Sequence, residues 1–237
     1  MTPKTLIFDI ETSPLIAYVW QLGEQRVNLD QIKEDWYVLA FAAKWLGEKK
    51  VIYHDVRHSN DTLKDKSILR IIWKLLDEAD VVITQNGKRF DSRKLNARFI
   101  EYGMPPPSPY KHWDTYRVAD TVAEFTSHKL EYLTDKLCVK YKKLKHKKFP
   151  GLSLWKECLK GNIEAWNEMK KYNIHDVLST EELYTKIQAW APPSVPSVHH
   201  PCSSAYAVKW GTTPDKGVLY QRMFCKKCKT YFRGGKV

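Results

Sequence analysis

The sequence predicts an α/β fold in which a mixed β-sheet is flanked by helices. Residues 4–10 form a short apolar run that indicates a buried strand near the N-terminus. Two further strand-like runs follow, after which helical and strand-like segments alternate along the chain. The 237 residues are 43% hydrophobic and 13% aromatic, which is enough to build the core of one medium-sized domain with a small appendage.

Local residue patterns predict the individual elements. Apolar runs predict strands at residues 4–10, 36–46, 50–56 and 79–84. Apolar residues spaced three and four apart predict helices at residues 61–77, 91–102, 115–125 and 164–190. Between the last two helices, residues 136–148 contain seven lysines, which form either a solvated face or the rim of a cleft.

A change in composition divides the chain. Residues 1–191 are expected to form the α/β domain, and the proline-rich residues 192–198 a stiff linker. Residues 199–237 contain few aliphatic side chains and are expected to form a separate small module. With eight basic residues and one acidic residue, this C-terminal part holds more than half of the net charge of +12.

The net charge also bears on partners and location. A large positive charge indicates an acidic partner, and nucleic acid is the commonest one. The longest apolar run, residues 37–43, is too short to span a bilayer, so no membrane association is expected. The N-terminus shows no secretory signal, and the five cysteines do not suggest a disulfide framework. A cytoplasmic or nucleoid-associated protein is therefore expected.

Four acidic residues and a tyrosine form the main candidate site. Asp9 and Glu11 are two residues apart on a predicted strand, so both side chains point to the same face. Asp91 stands at the start of a predicted helix, and Asp176 lies on the C-terminal helix, four residues after Tyr172. Two divalent cations about 4 Å apart, held by carboxylates from several segments, can activate a water and neutralise a phosphate. The sequence therefore predicts a two-metal nuclease site.

Each acid also has a simpler explanation when it is taken alone. Asp9 and Glu11 would protect an edge strand, and Asp91 would cap a helix. Other acids, such as Asp55, are expected to be solvated surface groups. The joint occurrence of the four acids in these local contexts favours the metal site.

Three motifs carry a specific resemblance. FDIET (residues 8–12), NGKRFD (86–91) and YNIHD (172–176) resemble the exonuclease motifs of the DEDD superfamily. That family has a ribonuclease H-like fold and removes nucleotides from 3′ ends with two Mg²⁺ or Mn²⁺ ions. The resemblance covers roughly residues 4–190, and it implies that the four acids bind these two metal ions.

The third motif also indicates a subtype. Tyr172 stands four residues before Asp176, as in the tyrosine subtype found in the proofreading domains of family B DNA polymerases. The resemblance implies that Asn86 and Phe90 contact the terminal nucleotides, and Thr12, which ends the first motif, is assigned to substrate binding with them. His175 is expected to have a structural role.

The C-terminal module contains a candidate zinc site. His199 and Cys202 form one pair, with His200 as the alternative to His199, and Cys225 and Cys228 form a second pair. Two such pairs are what a tetrahedral Zn²⁺ site needs. The module is similar to the zinc ribbons of transposases, with a histidine where their first cysteine stands.

These features together predict a metal-dependent 3′→5′ exonuclease with a C-terminal zinc ribbon. DNA is the favoured substrate, either single-stranded or as the 3′ end of a duplex, and a polymerase or repair complex in trans is a candidate partner. Three alternatives stay open: an RNA-trimming exoribonuclease, a nucleic-acid-binding protein with a vestigial nuclease site, and a structure-selective endonuclease on the same fold.

Overall fold

The structure is a computed structural model that describes residues 3–58, 65–144, 148–191, 207–215, 218–227 and 231–237. Its first seven strands are β1 (Thr5–Thr12), β2 (Ile16–Ala17), β3 (Ile32–Glu34), β4 (Val38–Trp45), β5 (Ile52–Asp55), β6 (Val81–Thr84) and β7 (Lys111–Asp114). Five of them form one mixed sheet in the order β5-β4-β1-β6-β7. β1 pairs antiparallel with β4 and parallel with β6, so the central strand of the sheet is β1. The predicted mixed α/β fold is confirmed.

The helices are α1 (Lys66–Glu78), α2 (Asp91–Glu101), α3 (Thr115–Val122), α4 (Leu130–Leu137), α5 (Ser153–Leu159) and α6 (Ile163–Ile187). Short 3₁₀ helices occupy Leu29–Gln31, Val56–His58 and Gln188–Trp190. Side chains of β1 alternate between two cores, because successive residues of a strand point to opposite faces. Leu6, Phe8 and Ile10 pack with α1 and α2, whereas Ile7 lies on the face that α3, α4 and α6 cover.

Several short elements were not predicted from the sequence. The strand β7 and the pair β2 and β3 contain two to four residues each, too few for a recognisable periodicity. The helices α4 and α5 contain eight and seven residues and stand beside the lysine-rich stretch. Each predicted strand and helix has a counterpart within a few residues, although residues 59–64, at the predicted start of α1, lie outside the described chain.

The expectation that Asp55 is a solvated surface group is wrong. Its side chain is buried at the end of β5. Arg57 lies two residues later and binds both carboxylate oxygens, with Nε–Oδ1 and Nη2–Oδ2 distances of 3.0 and 2.8 Å. This bidentate pair compensates the buried charge, which a pattern of single residues does not reveal.

A second sheet lies in the C-terminal part of the chain. It contains β8 (Ala207–Asp215), β9 (Val218–Cys225) and β10 (Tyr231–Lys236), all antiparallel, in the order β10-β9-β8. Cys225 is buried at the end of β9. The predicted linker and four of the candidate zinc ligands, His199, His200, Cys202 and Cys228, lie outside the described residues. Within the described chain, no helix combines the length and the apolar character needed to cross a membrane.

Candidate active site

Asp9 and Glu11 lie on the face of β1 that α6 covers. The strand register places Asp9 opposite Ala42 and Glu11 opposite Ala40 on β4, and both alanines are fully buried. Their small side chains leave room for α6 to approach the two acids. Asp176 of α6 completes a cluster in which one carboxylate oxygen from each of the three acids lies within 4.8 Å of the others.

Asp91 joins the site from the other side of β1. It is the first residue of α2, and its Oδ1 accepts a hydrogen bond from the backbone N–H of Ile10 at 3.1 Å. The pairing of β1 with β6 ends at Ile7, so this N–H lies beyond the parallel ladder and needs another acceptor. Asp91 therefore lies against β1 between Asp9 and Glu11, outside the three-acid cluster.

A tight turn between β6 and α2 positions Asn86 and Asp91. Asn86 has a positive φ of 61°, and a Cβ atom on Gly87 would lie 2.4 Å from Thr84 Oγ1, so the turn requires glycine there. Asp114, at the end of β7, accepts backbone N–H bonds from Asn86 at 2.8 Å and from Lys88 at 3.2 Å. Asp114 was not predicted as a site residue, because in the sequence it is only a single acid before a predicted helix.

Two further residues complete the cluster and were also missed. Asn173 is fully buried, and its Nδ2 donates to Asp9 Oδ2 at 2.6 Å. In the sequence, its role is indicated only by its position about one helical turn before Asp176. Lys143 extends from the loop after α4, and its Nζ lies 2.9 Å from Asp176 Oδ2. Nothing in the lysine-rich sequence distinguishes this lysine from its neighbours.

Tyr172 lies at the edge of the carboxylate cluster. It is 8% exposed, Lys143 Nζ lies 4.9 Å from its ring centroid, and burial and the charge of Asp176 raise the pKa of its phenol. Trp155 meets its ring edge-on, with centroids 6.2 Å apart, and also acts to lower the pKa of Glu11. His175, in contrast, contacts the carbonyl oxygen of Lys142, in agreement with a structural role.

The predicted substrate-binding residues occupy different positions around the site. Asn86 and Lys143 line the same cavity, so Asn86 lies close to the carboxylate cluster. Phe90 is 41% exposed, and Lys94 Nζ lies 5.4 Å from its ring centroid and 3.6 Å from that of Trp36. Thr12 ends β1 and is partly buried.

The cluster concentrates negative charge in a buried place. Burial, followed by the charges of Asp91, Glu11 and Asp176, holds the pKa of Asp9 well above its usual value. Burial and the charge of Asp176 raise the pKa of Glu11 to about 8, and burial raises the pKa of Asp91 to about 7. A nearby cation lowers the pKa values of such carboxyl groups most directly, and Lys143 supplies one positive charge.

The donor set fits a hard divalent cation. All four acids offer carboxylate oxygens, which Mg²⁺ and Mn²⁺ prefer. Asp176 Oδ1 is buried and has no hydrogen-bond partner among the described residues, so one oxygen stays available for a cation. The residues that could hold metal ions are Asp9, Glu11 and Asp176 together, with Asp91 beside them.

Comparisons with known proteins agree with this fold. A search of curated protein sequences finds no significant match. Among solved structures, the family B DNA polymerase from the hyperthermophilic archaeon Pyrobaculum calidifontis is similar, with a TM-score of 0.51 and 15% identity. The match covers 81% of this chain and 26% of the polymerase, so this chain spans about a quarter of that protein's length. A family model described as RNase_H superfamily matches residues 6–188 of this chain. Since this match covers most of the chain, the protein belongs to the RNase H superfamily.

Proposed function

We propose that the protein is a metal-dependent 3′→5′ exonuclease of the tyrosine DEDD subtype that hydrolyses phosphodiester bonds in nucleic acid. The observation that carries the proposal is the convergence of Asp9, Glu11 and Asp176 within 4.8 Å, with Asp91 bound to the same strand. Three converging carboxylates, with a fourth on the same strand, are energetically costly unless they bind cations. Membership of the RNase H superfamily supports a nuclease that uses divalent metals and acts on nucleic acid.

The residues of the site have distinct roles in this mechanism. Two Mg²⁺ or Mn²⁺ ions would supply water activation and charge neutralisation at the phosphate when bound. Asp9, Glu11, Asp91 and Asp176 would hold them, and Asn173 fixes the orientation of Asp9 through its 2.6 Å hydrogen bond. Such outer hydrogen bonds orient metal ligands.

Tyr172 orients the attacking water through its phenol. Burial and the charge of Asp176 raise its pKa above the usual value, so the hydroxyl stays protonated at neutral pH. It therefore acts as a hydrogen-bonding group and not as the base. Asn86 and Phe90 contact the 3′-terminal nucleotides, and Thr12 assists them.

DNA is the favoured substrate, because one solved structure of similar fold is a DNA polymerase. The principal second candidate is trimming of RNA from the 3′ end, since none of the motifs distinguishes the two nucleic acids. A polymerase or repair complex would act with the protein in trans.

For the C-terminal module, we propose a zinc ribbon that holds nucleic acid. The three-stranded antiparallel sheet with Cys225 buried at the end of β9 supports it. Cys202, Cys228 and either His199 or His200 are the other ligands in this proposal. Metal analysis should find about one Zn per chain, and none in the variant that carries Cys225→Ser and Cys228→Ser. Zinc retained by that variant would contradict the ligand assignment.

One experiment tests the nuclease directly. Single-stranded and duplex DNA and RNA, labelled at the 5′ end, are incubated with Mg²⁺ or Mn²⁺ and either wild type, Asp9→Ala or Asp30→Ala. Asp30 is an exposed acid and serves as the matched control. A ladder of single-nucleotide steps from the 3′ end, absent with Asp9→Ala or with EDTA and retained with Asp30→Ala, is expected. No metal-dependent cleavage of any substrate would refute the proposal, and a single internal cut would indicate an endonuclease.

A further inference from the structure

Two adjoining cavities lie next to the carboxylate cluster, along α4. The first has a volume of about 300 Å³, and its lining includes Asn86, Tyr116 and Lys143. The second has a volume of about 420 Å³, and its lining includes Lys142 and Lys143. Both cavities also share Lys129 and Glu131, so they form one continuous surface depression, here called the α4 groove.

One end of the α4 groove reaches the proposed metal ligands. Lys143 lines both cavities, and its ammonium group binds Asp176. Asn86 lies in the turn that leads into Asp91, on the wall of the first cavity. A ligand in the groove would therefore extend directly to the place where hydrolysis is proposed.

Three lysines and two acids line the α4 groove, so its positive side chains outnumber its negative ones: Lys129, Lys142 and Lys143 against Glu131 and Asp135. Lys129 is exposed and has no ion-pair partner in the part of the chain that the structure describes. Lys142 pairs with Asp135 at 3.1 Å, and both side chains are more than half exposed. Such surface pairs contribute little, so a phosphate can replace the carboxylate with little loss.

The first cavity also presents an aromatic ring in a fixed position. Tyr116 is half-buried, and the ring of His128 meets it edge-on at 5.8 Å. The loop that carries His128 is held in turn by Gln85, whose Nε2 donates to the His128 carbonyl at 2.9 Å. A preorganised ring beside lysines is the combination that single-strand-binding grooves use, because every base can stack on it.

The loop that carries Lys142 and Lys143 is fixed as well. The carboxylate of Glu182 on α6 accepts backbone N–H bonds from Val139 at 2.8 Å and from Tyr141 at 2.7 Å. Thr134 Oγ1 accepts a further bond from the N–H of Lys143 at 3.1 Å. The wall of the groove is therefore built by the fold and does not depend on a chance arrangement of surface side chains.

We propose that the α4 groove binds an unpaired nucleic-acid strand behind its 3′ end, with Lys129 and Lys142 as phosphate contacts and Tyr116 as a base-stacking residue. Cavities of this size suit ligands as large as one nucleotide each, which favours a single strand over a duplex. The inference rests on the proposed function, because it takes the carboxylate cluster as the place of cleavage.

The test measures binding of fluorescently labelled oligonucleotides, single-stranded and blunt duplex, by anisotropy in EDTA, which prevents metal-dependent cleavage. The groove variant carries Lys129→Ala and Lys142→Ala. The control variant carries Arg70→Ala and Lys74→Ala, two exposed residues of α1, which packs on the opposite face of the sheet. Both variants lose the same net charge, and melting curves check that both are folded.

The groove variant should bind the single strand about tenfold more weakly at low salt. The slope of log K against log [salt] should fall in magnitude by about 1.4, because two phosphate contacts to a single strand are lost at about 0.7 each. The control variant should keep both the affinity and the slope. Tyr116→Leu should weaken binding while leaving the slope unchanged, since stacking releases few counterions.

Equal losses in the groove and control variants would overturn the inference, because net charge alone would then explain them. Unchanged single-strand binding by the groove variant, or an equal loss of blunt-duplex binding, would also overturn it. If wild type cuts 3′ ends while the groove variant binds like wild type, only the groove is wrong. If wild type shows no metal-dependent cleavage, the proposed function itself has failed.

Discussion

Lys143 offers the sharpest test of how the carboxylate cluster is stabilised without metal ions. Its ammonium lies 2.9 Å from Asp176 Oδ2, and the two side chains are 25% and 6% exposed. Its charge also lowers the pKa values of Asp9 and Glu11, which shows that it acts on the whole cluster. Lys143→Met removes this charge and keeps most of the side-chain volume.

The magnitude follows from the burial of the pair. Breaking a fully buried ion pair costs about 3–5 kcal/mol. Lys143 is partly exposed, and the acids can take up protons when they lose it, so the expected loss is about 2 kcal/mol. For a domain of this size, that corresponds to a fall in Tm of about 4–8 °C.

The assay is thermal unfolding in EDTA and in excess Mn²⁺. In EDTA, Lys143→Met should melt well below wild type. In Mn²⁺ the difference should shrink, because a bound divalent cation replaces the missing positive charge and stabilises the folded state by mass action. The increase in Tm on adding Mn²⁺ should therefore be larger for the variant than for wild type.

Lys148→Met is the matched control. Lys148 pairs with Glu164 at 2.6 Å, but these side chains are 62% and 66% exposed. Pairs of this kind are worth about 0–1 kcal/mol, so its Tm should stay near that of wild type in both conditions. The reasoning is refuted if Lys143→Met in EDTA is as stable as Lys148→Met, or if Mn²⁺ raises the Tm of both variants equally.

Three further predictions concern the same region. In EDTA, the free energy of unfolding should be lower at about pH 8 than at about pH 5.5. Burial raises the pKa of Glu11 to about 8 and of Asp91 to about 7, so the folded protein still holds protons that the unfolded chain has released. Chemical denaturation at the two pH values measures this, and greater stability at the higher pH would contradict it. Tyr172→Phe should lower kcat by about 10- to 100-fold with little change in KM, because only water orientation is lost; a large rise in KM would exclude that role. Gly87→Ala should cost about 1–3 kcal/mol, because its Cβ would lie 2.4 Å from Thr84 Oγ1, and an unchanged melting curve would show that the turn can relax.

The sequence predicted the sheet and the main acids because both follow from local patterns. The apolar run at residues 4–10 indicated a buried strand, and the two-residue period of a strand placed Asp9 and Glu11 on one face. The helical spacing of Tyr172 and Asp176 indicated that they point the same way, and both lie at the cluster. In each of these cases, the distance that matters is spanned within one element.

The residues that were missed depend on contacts between elements. Lys143 is one of seven lysines in a run. It lies at the carboxylate cluster because hydrogen bonds to Glu182 of α6 anchor its loop there. Asp114 is distant in sequence from the turn whose N–H groups it binds. Asp55 was misjudged for a related reason, because its burial depends on the bidentate contact with Arg57.

The loop that follows α4 links the two proposed sites physically. It carries Lys143, which binds a carboxylate of the cluster, and next to it Lys142, which lines the α4 groove. A cation on Asp176 Oδ1 would share the carboxylate with the ammonium of Lys143 on Oδ2 and would weaken the attraction between them. An ammonium that Asp176 holds less tightly stays within the groove that Lys143 already lines, where its charge can attract a phosphate. Metal ions and nucleic acid would therefore favour each other's binding through one side chain, and because such coupling is reciprocal, removal of Lys143 should weaken it in both directions.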